Sequence, residues 1–209
     1  CQKNLCLAGG VALNCVANGK LFRENVFEHI WIQPAAGDAG GALGAALAVY
    51  HIMLNYPRKP KNKLDGMKGA YLGPKYNLAD CKQRLERCGA IFTTHDDEEI
   101  IESTAKALAD GKIVGWHSGR MEFGPRALGA RSILADPCSP AMQKLLNLKV
   151  KFRESFRPFA PSILREELKE WFEMDIDSPY MLLVVDVVKS KRRKMTDKEN
   201  LLFGIDKLN

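Results

Sequence analysis

Residues 119–132 read Gly-Arg-Met-Glu-Phe-Gly-Pro-Arg-Ala-Leu-Gly-Ala-Arg-Ser, with arginines at 120, 126 and 131 and glycines at 119, 124 and 129. Glycine lets backbone amides approach an anion closely, and arginine grips phosphate oxygens through paired parallel hydrogen bonds. A merely solvated turn has no use for the embedded Phe123 and Leu128, so the segment reads as a phosphate-binding loop. A second basic stretch follows, in which Lys149, Lys151, Arg153 and Arg157 are interleaved with Phe152, Phe156 and Phe159. Pro158 and Pro161 forbid a regular helix here. In an extended chain, parity puts Lys151, Arg153 and Arg157 on one face, opposite Phe152 and Phe156 as anchors in the core. Ten basic and three acidic side chains lie between Lys112 and Arg165, a local +7 against +6 for the whole chain. The basicity is therefore concentrated, as an anion pocket requires.

Two weaker signals precede these. Gly9-Gly10-Val11-Ala12-Leu13-Asn14 sits between an expected strand and helix, where free amides and the helix dipole favour a phosphate. It lacks the lysine of a P-loop, and a simple tight turn explains it equally well. Asp38, in a glycine-rich strand-to-helix loop, suits either a helix cap or a metal ligand, and spacing alone favours the cap. The histidines at 29, 51, 95 and 117 form no H-x-x-x-H or H-E-x-x-H pair, although His117 adjoins the arginine loop.

The elements that must position these groups follow an α/β rhythm. Strands are expected at 4–8 and 29–33, each followed by a helix, at 11–24 and 42–54. The second helix is apolar on nearly all sides and is expected to be buried, against a second unit or another copy of the chain in a homodimer. Residues 56–77 read as a basic linker, with prolines at 57, 60 and 74 and with Arg58, Lys59, Lys61, Lys63 and Lys68 against Asp65. Beyond it come helix 78–88, strand 90–94 and a helix from Asp96 or Asp97 to about Ala109 with Ile100, Ile101, Ala105 and Leu108 on one face. Strand 112–117 leads into the glycine–arginine loop. Strand 132–135, helix 140–150, extended chain at 159–164 and helix 165–172 complete this part. Residues 181–188 (Met-Leu-Leu-Val-Val-Asp-Val-Val) form the strongest expected strand, and the charged run after it a solvated turn.

A chain of 209 residues with 46% hydrophobic and 27% charged positions is globular in composition, which excludes a disordered segment. No stretch is long and apolar enough for a membrane-spanning helix. Six irregularly spaced cysteines, with no C-x-x-C pair and no leader, suggest buried reduced thiols and a cytoplasmic protein. Aromatics at 8% make a base-stacking platform a poor expectation.

Residues 115–137 and 146–161 resemble the carboxy-terminal region of the O-carbamoyltransferases, the nodulation-type enzymes and their antibiotic-biosynthetic relatives. The opening Gly-Gly-Val-Ala-Leu-Asn and the Gly-Asp-Ala-Gly-Gly loop are similar to the end of that family's larger domain. The resemblance implies an α/β fold: residues 1–55 ending an actin-like ATPase-fold domain, a linker over 56–77, and residues 78–209 in a YrdC-like twisted open sheet. It implies that carbamoyl phosphate and ATP form a carbamoyl-adenylate, and that the carbamoyl group then passes to a hydroxyl-bearing acceptor near a divalent metal such as iron. On that basis Lys151 and Arg157 hold carbamoyl phosphate, with Arg120, Arg126 and Arg131 around the phosphates. Gly9, Gly10, Asn14, Asn147 and Arg153 fall at cofactor-binding positions, and Asp38 matches the family's metal-binding aspartate.

Three departures accompany the resemblance. Cys138 stands where the family usually carries arginine, and the upstream H-x-x-x-H pair and a downstream Asp-Gly-Ser-Ala-Arg motif are not in the sequence, so the chain is expected to be an excerpt unable to run the full reaction. Two rival readings are a YrdC-like module binding double-stranded RNA or a nucleotide through its basic face, and an actin-like sugar kinase. The first would show steep salt dependence. The second gives no reason for a separate basic pocket.

Overall fold

In the computed structural model, which describes residues 2–59 and 65–202, β1 (Asn4–Leu7) pairs in parallel with β2 (His29–Ile32), in register from Asn4 opposite His29 to Leu7 opposite Ile32. Both strands alternate exposed and half-buried side chains. The expected helix at 11–24 is in fact two elements, a 3-10 turn (Gly10–Leu13) and α1 (Cys15–Glu24). Asn14, with ψ near 86°, breaks the run, and its side-chain oxygen accepts from the Ala17 amide as the cap of α1. Gly19 lets a backbone come close: a Cβ there would fall 2.0 Å from the Val184 carbonyl oxygen. Beside it the buried Asn18 donates to the carbonyls of Ala12 and Leu182.

The apolar helix begins earlier than expected, as α2 (Asp38–Ala48), and continues as a π-helical turn (Val49–Met53). It is not buried among the described residues. Leu43 reaches the core, but alanine and glycine fill most of α2, and the bulky Ile52 and Met53 in the terminal turn are each 73% exposed.

The described residues form two compact units that interleave along the chain. The first comprises residues up to Thr94, Trp116–Ser132 and Ser178–Val184. Its core gathers Met67, Ala70, Tyr180 and Leu182, with Leu13, Ile32, Leu43, Phe123 and Leu128 packed against them. Residues 65–74, read from composition as solvated connector, are thus packed; Pro60, Lys61 and Lys63 lie outside the described residues. Asp65 accepts from the Met67 amide and from the Tyr180 hydroxyl, which in turn accepts from the Gly69 amide. Residues 78–87 form α3 (Leu78–Arg87), capped by Asn77. Residues 90–94 adopt no strand: Gly89, with φ of +65°, ends the helix and Ile91 is fully exposed.

The second unit holds His95–Gly115, Ile133–Asp177 and the chain from Val185 onward. It opens with α4 (Asp97–Ala109), where Asp96 accepts from the Glu99 amide at 2.9 Å. The expected helix at 140–150 is α5 (Met142–Leu145) followed by a π-helical turn (Leu146–Val150). A 3-10 turn (Arg165–Glu167) leads into α6 (Leu168–Trp171). The charged run after Lys189 is paired instead of simply solvated. Lys191 bonds Glu170 and sits 4.6 Å over the Trp171 ring, Arg192 pairs with Glu173, and Arg193 with Glu199. Thr196 and Glu199 then form a capping box for α7 (Asp197–Leu201).

The run at 181–188 is no strand, because its backbone groups are satisfied piecemeal. In the first unit the Leu182 and Val184 carbonyls accept from Asn18 and Arg23, and the Val184 amide bonds Cys15. In the second, Val187 makes a single antiparallel bridge to Phe172. The described cysteines are free, as expected, but none is fully buried, and Cys6, Cys88 and Cys138 are exposed.

Candidate functional site

The glycine–arginine loop joins two strands that pair with each other, β3 (Val114–His117) and β4 (Arg131–Leu134). Ser118 closes its base by donating from its amide to the Ala130 carbonyl at 2.9 Å. Phe123 and Leu128 anchor it in the first unit's core, and the strap at 70–74 grips it from outside. There the Phe123 amide donates to Ala70, the Gly73 amide to Met121, the Met121 amide to Pro74, and the Tyr71 hydroxyl to Leu128. Gly124 needs its freedom: its φ is +112°, and a Cβ would sit 2.9 Å from that of Ala35.

The three arginines differ in what they hold. Arg120 is exposed and spends one guanidinium nitrogen on the Gly73 carbonyl at 2.6 Å. Arg126 is half-buried, and its buried Nε has no hydrogen-bond partner among the described residues. Arg131 turns back on its own loop, donating to the carbonyls of Gly124 and Arg126, with Nε 3.3 Å from Glu122. Glu122, buried to 4% exposure, gave no sequence signal as a site residue. Burial pushes its carboxyl up, but the amides of Ala130 and Leu128 and the charge of Arg131 outweigh that and hold it below the usual carboxylate range.

In the second unit, residues 151–157 form a hook instead of the expected extended strand. Lys151 ends the π-helical turn, and Phe152 takes a left-handed φ of +48° with 85% of its surface exposed, so it anchors nothing. The cause is Asn147, wholly buried, which draws the chain back through bonds to the carbonyls of Ser155 and Arg157. Asn147 also accepts from Arg153 Nε at 2.6 Å, and the Arg153 guanidinium lies 4.9 Å over the Phe159 ring. Asn147 and Arg153 therefore build the hook. Lys151 is exposed and has no ion-pair partner among the described residues. Arg157 is exposed and pairs with Glu154 at 2.7 Å; the Glu154 backbone amide and then that bond hold the Glu154 carboxyl low. Such a surface pair is weak, and Glu154 holds the Arg157 guanidinium only loosely.

The remaining sites are simpler. Gly9 donates its amide to Ala36, while both Gly9 and Gly10 are exposed with open space around them. Asp38 is exposed in the first turn of α2, where Gly37 is the N-cap, so Asp38 does not cap the helix. No group of three His, Cys, Asp or Glu side chains able to hold a metal exists among the described residues. Asp38 supplies one ligand, and a divalent ion such as iron needs several in fixed geometry, as the resemblance implies for the full-length enzyme only. Among the described residues no helix is long and apolar enough to cross a membrane.

Residues 105–199 match the family described as carbamoyltransferase C-terminus, and residues 1–47 match carbamoyltransferase N-terminus. The chain belongs to the carbamoyltransferase family. Both basic loops fall within the part matched to the C-terminal domain. The chain is 54% identical to the uncharacterized protein sll1178 of Synechocystis sp., over 99% of this chain and 34% of that protein. It is 44% identical to nodulation protein NolNO of Sinorhizobium fredii, over 91% of this chain and 28% of that protein. With nodulation protein U of the same organism the identity is 38%, over 86% and 29%. The chain thus spans about a third of the length of the relatives it matches, and its mixed helices and strands agree with an α/β fold.

Proposed function

We propose that this chain carries the anion-handling part of an ATP-dependent O-carbamoyltransferase, with residues 1–55 related to the end of an actin-like domain and residues from 78 onward to a YrdC-like one, a division along the sequence that the two interleaved compact units do not follow. Water hydrolyses carbamoyl phosphate to carbamate and inorganic phosphate, and a carbamate oxygen then attacks the α-phosphorus of ATP, releasing pyrophosphate and leaving a carbamoyl-adenylate. The carbamoyl group then passes to a hydroxyl of a small molecule or glycan. Two polyanions must be brought together before any bond forms, and fixed cations offset their repulsion. Arg120 and Arg126 serve the phosphates. Lys151 supplies a compact point charge and Arg157 a planar fork, which suit one phosphate and an adjacent carbonyl. Gly9, Gly10 and Asn14 offer a nucleotide phosphate the open turn before α1.

The observation that carries this reading is the match of both basic loops to the carbamoyltransferase C-terminal domain, supported by the unpartnered buried donor of Arg126 and the unpaired Lys151. The test is exchange of labelled pyrophosphate into ATP by the intact protein. Label should enter ATP only when carbamoyl phosphate is present. Exchange that ignores carbamoyl phosphate, or none at all, contradicts the reading.

A further inference from the structure

The Glu122 carboxylate is the most deeply buried charge of the glycine–arginine loop, its side chain fully removed from solvent. A buried carboxylate is costly unless it is paired and hydrogen-bonded. One oxygen, Oε1, accepts from the Leu128 amide at 2.6 Å and the Ala130 amide at 2.7 Å; the other, Oε2, has no hydrogen-bond partner among the described residues and faces Arg131 Nε at 3.3 Å as an ion pair alone. Arg131 extends the chain of contacts to the carbonyls of Gly124 and Arg126. One ion pair thereby ties the carbonyls of residues 124 and 126 and the amides of residues 128 and 130, on both sides of Arg126.

We propose that Glu122 is the positioning residue of this loop: with Arg131 it forms an internal brace that sets the backbone presenting Arg120 and Arg126, and Arg131 serves the brace instead of the anion. The proposal rests on reading the loop as an anion site. It assigns the three arginines two different tasks. Arg120 and Arg126 keep donors for phosphate oxygens, whereas Nε and one terminal nitrogen of Arg131 are already engaged within the loop. The buried negative charge also cancels one arginine locally, so the loop holds its shape in the absence of an anion.

The experiment uses the intact protein with Glu122→Gln, Glu122→Ala and Arg131→Lys. Without any ligand, hydrogen exchange of the segment 124–131 should accelerate in Glu122→Ala, because the Leu128 and Ala130 amides lose their acceptor. Glu122→Gln keeps an oxygen for those amides but sets an NH2 group against the Arg131 Nε–H. Its melting temperature should fall, because a donor now faces the Arg131 Nε–H, and KM for carbamoyl phosphate in pyrophosphate exchange should rise by roughly 10- to 100-fold. The double variant Glu122→Gln/Arg131→Lys should be no worse than the poorer single one, as for two residues acting as a unit. A purely structural role would lower the melting temperature and leave KM unchanged.

Loss of carbamoyl phosphate saturation in Arg131→Lys, with unaltered KM in Glu122→Gln, would overturn the brace and put Arg131 on the anion. Unchanged hydrogen exchange in Glu122→Ala would overturn it as well. If Glu122→Ala fails to fold, the KM comparison between the two conservative variants decides. Absence of carbamoyl-phosphate-dependent exchange in the unaltered protein would defeat the functional reading instead, and the ligand-free hydrogen exchange would still judge the brace.

Discussion

Arg153 donates from its Nε to the side-chain oxygen of the wholly buried Asn147 at 2.6 Å, and this bond joins the hook at 151–157 to the helical turn that precedes it. Asn147 completes its capacity by donating to the carbonyls of Ser155 and Arg157. Asn147→Ala removes the partner of the Ser155 carbonyl and of Arg153 Nε, while the Arg157 carbonyl keeps its bond from Gln143, and a polar group left buried and unsatisfied costs about 1–3 kcal/mol. The urea midpoint should fall accordingly, and proteolysis should begin in 151–157. An unchanged midpoint would remove Asn147 from this role.

Gly124→Ala should destabilise the protein by about 1–3 kcal/mol, since a left-handed residue is strained and the new methyl group meets Ala35. Gly10→Ala is the control, having nothing within 4 Å of its Cβ. Thermal unfolding of the two variants should separate them clearly; equal melting temperatures would contradict the described turn.

Tyr180 gives a pH signature. Burial and its hydrogen bond to Asp65 push the phenol up to about 12 from an ordinary 10. The neutral phenol is thus favoured in the folded state. Its contribution to stability is complete below pH 10 and is lost as pH rises through about 12. Ultraviolet titration of tyrosinate should show one group ionising near pH 12 that disappears in Tyr180→Phe.

Arg126→Met should separate function from stability. Removing a buried donor without a partner leaves the melting temperature unchanged or raises it, because an unsatisfied N–H is a net cost. Carbamoyl-phosphate-dependent activity should nevertheless fall on the order of 10²-fold, the usual effect of losing a positioned donor. A large loss of stability with activity intact would contradict both parts.

The local signals in the sequence were legible. Asp96 caps α4, the arginine loop joins β3 and β4, and Phe123 and Leu128 pack into the core as a loop anchored on both sides requires. What escaped depends on distant partners. The apolar run at 181–188 looks like a strand until Asn18, 164 residues earlier, takes the Leu182 carbonyl. Alternation at 151–157 suggested a strand because nothing local reveals that Asn147 folds the chain back. Glu122 looked like one more loop polar residue, since burial of its carboxylate follows only from amides and an arginine that the turn brings round it.

The central claim is that the basic residues of this chain activate carbamoyl phosphate with ATP. Carbamoyl-phosphate-dependent pyrophosphate exchange into ATP, measured for Lys151→Ala and Arg157→Ala in the intact protein, tests it most directly. Both side chains are exposed, so folding should be little affected. Exchange should be abolished in both variants while transfer from supplied carbamoyl-adenylate survives. Normal exchange in both would contradict it, and so would loss of transfer with exchange intact.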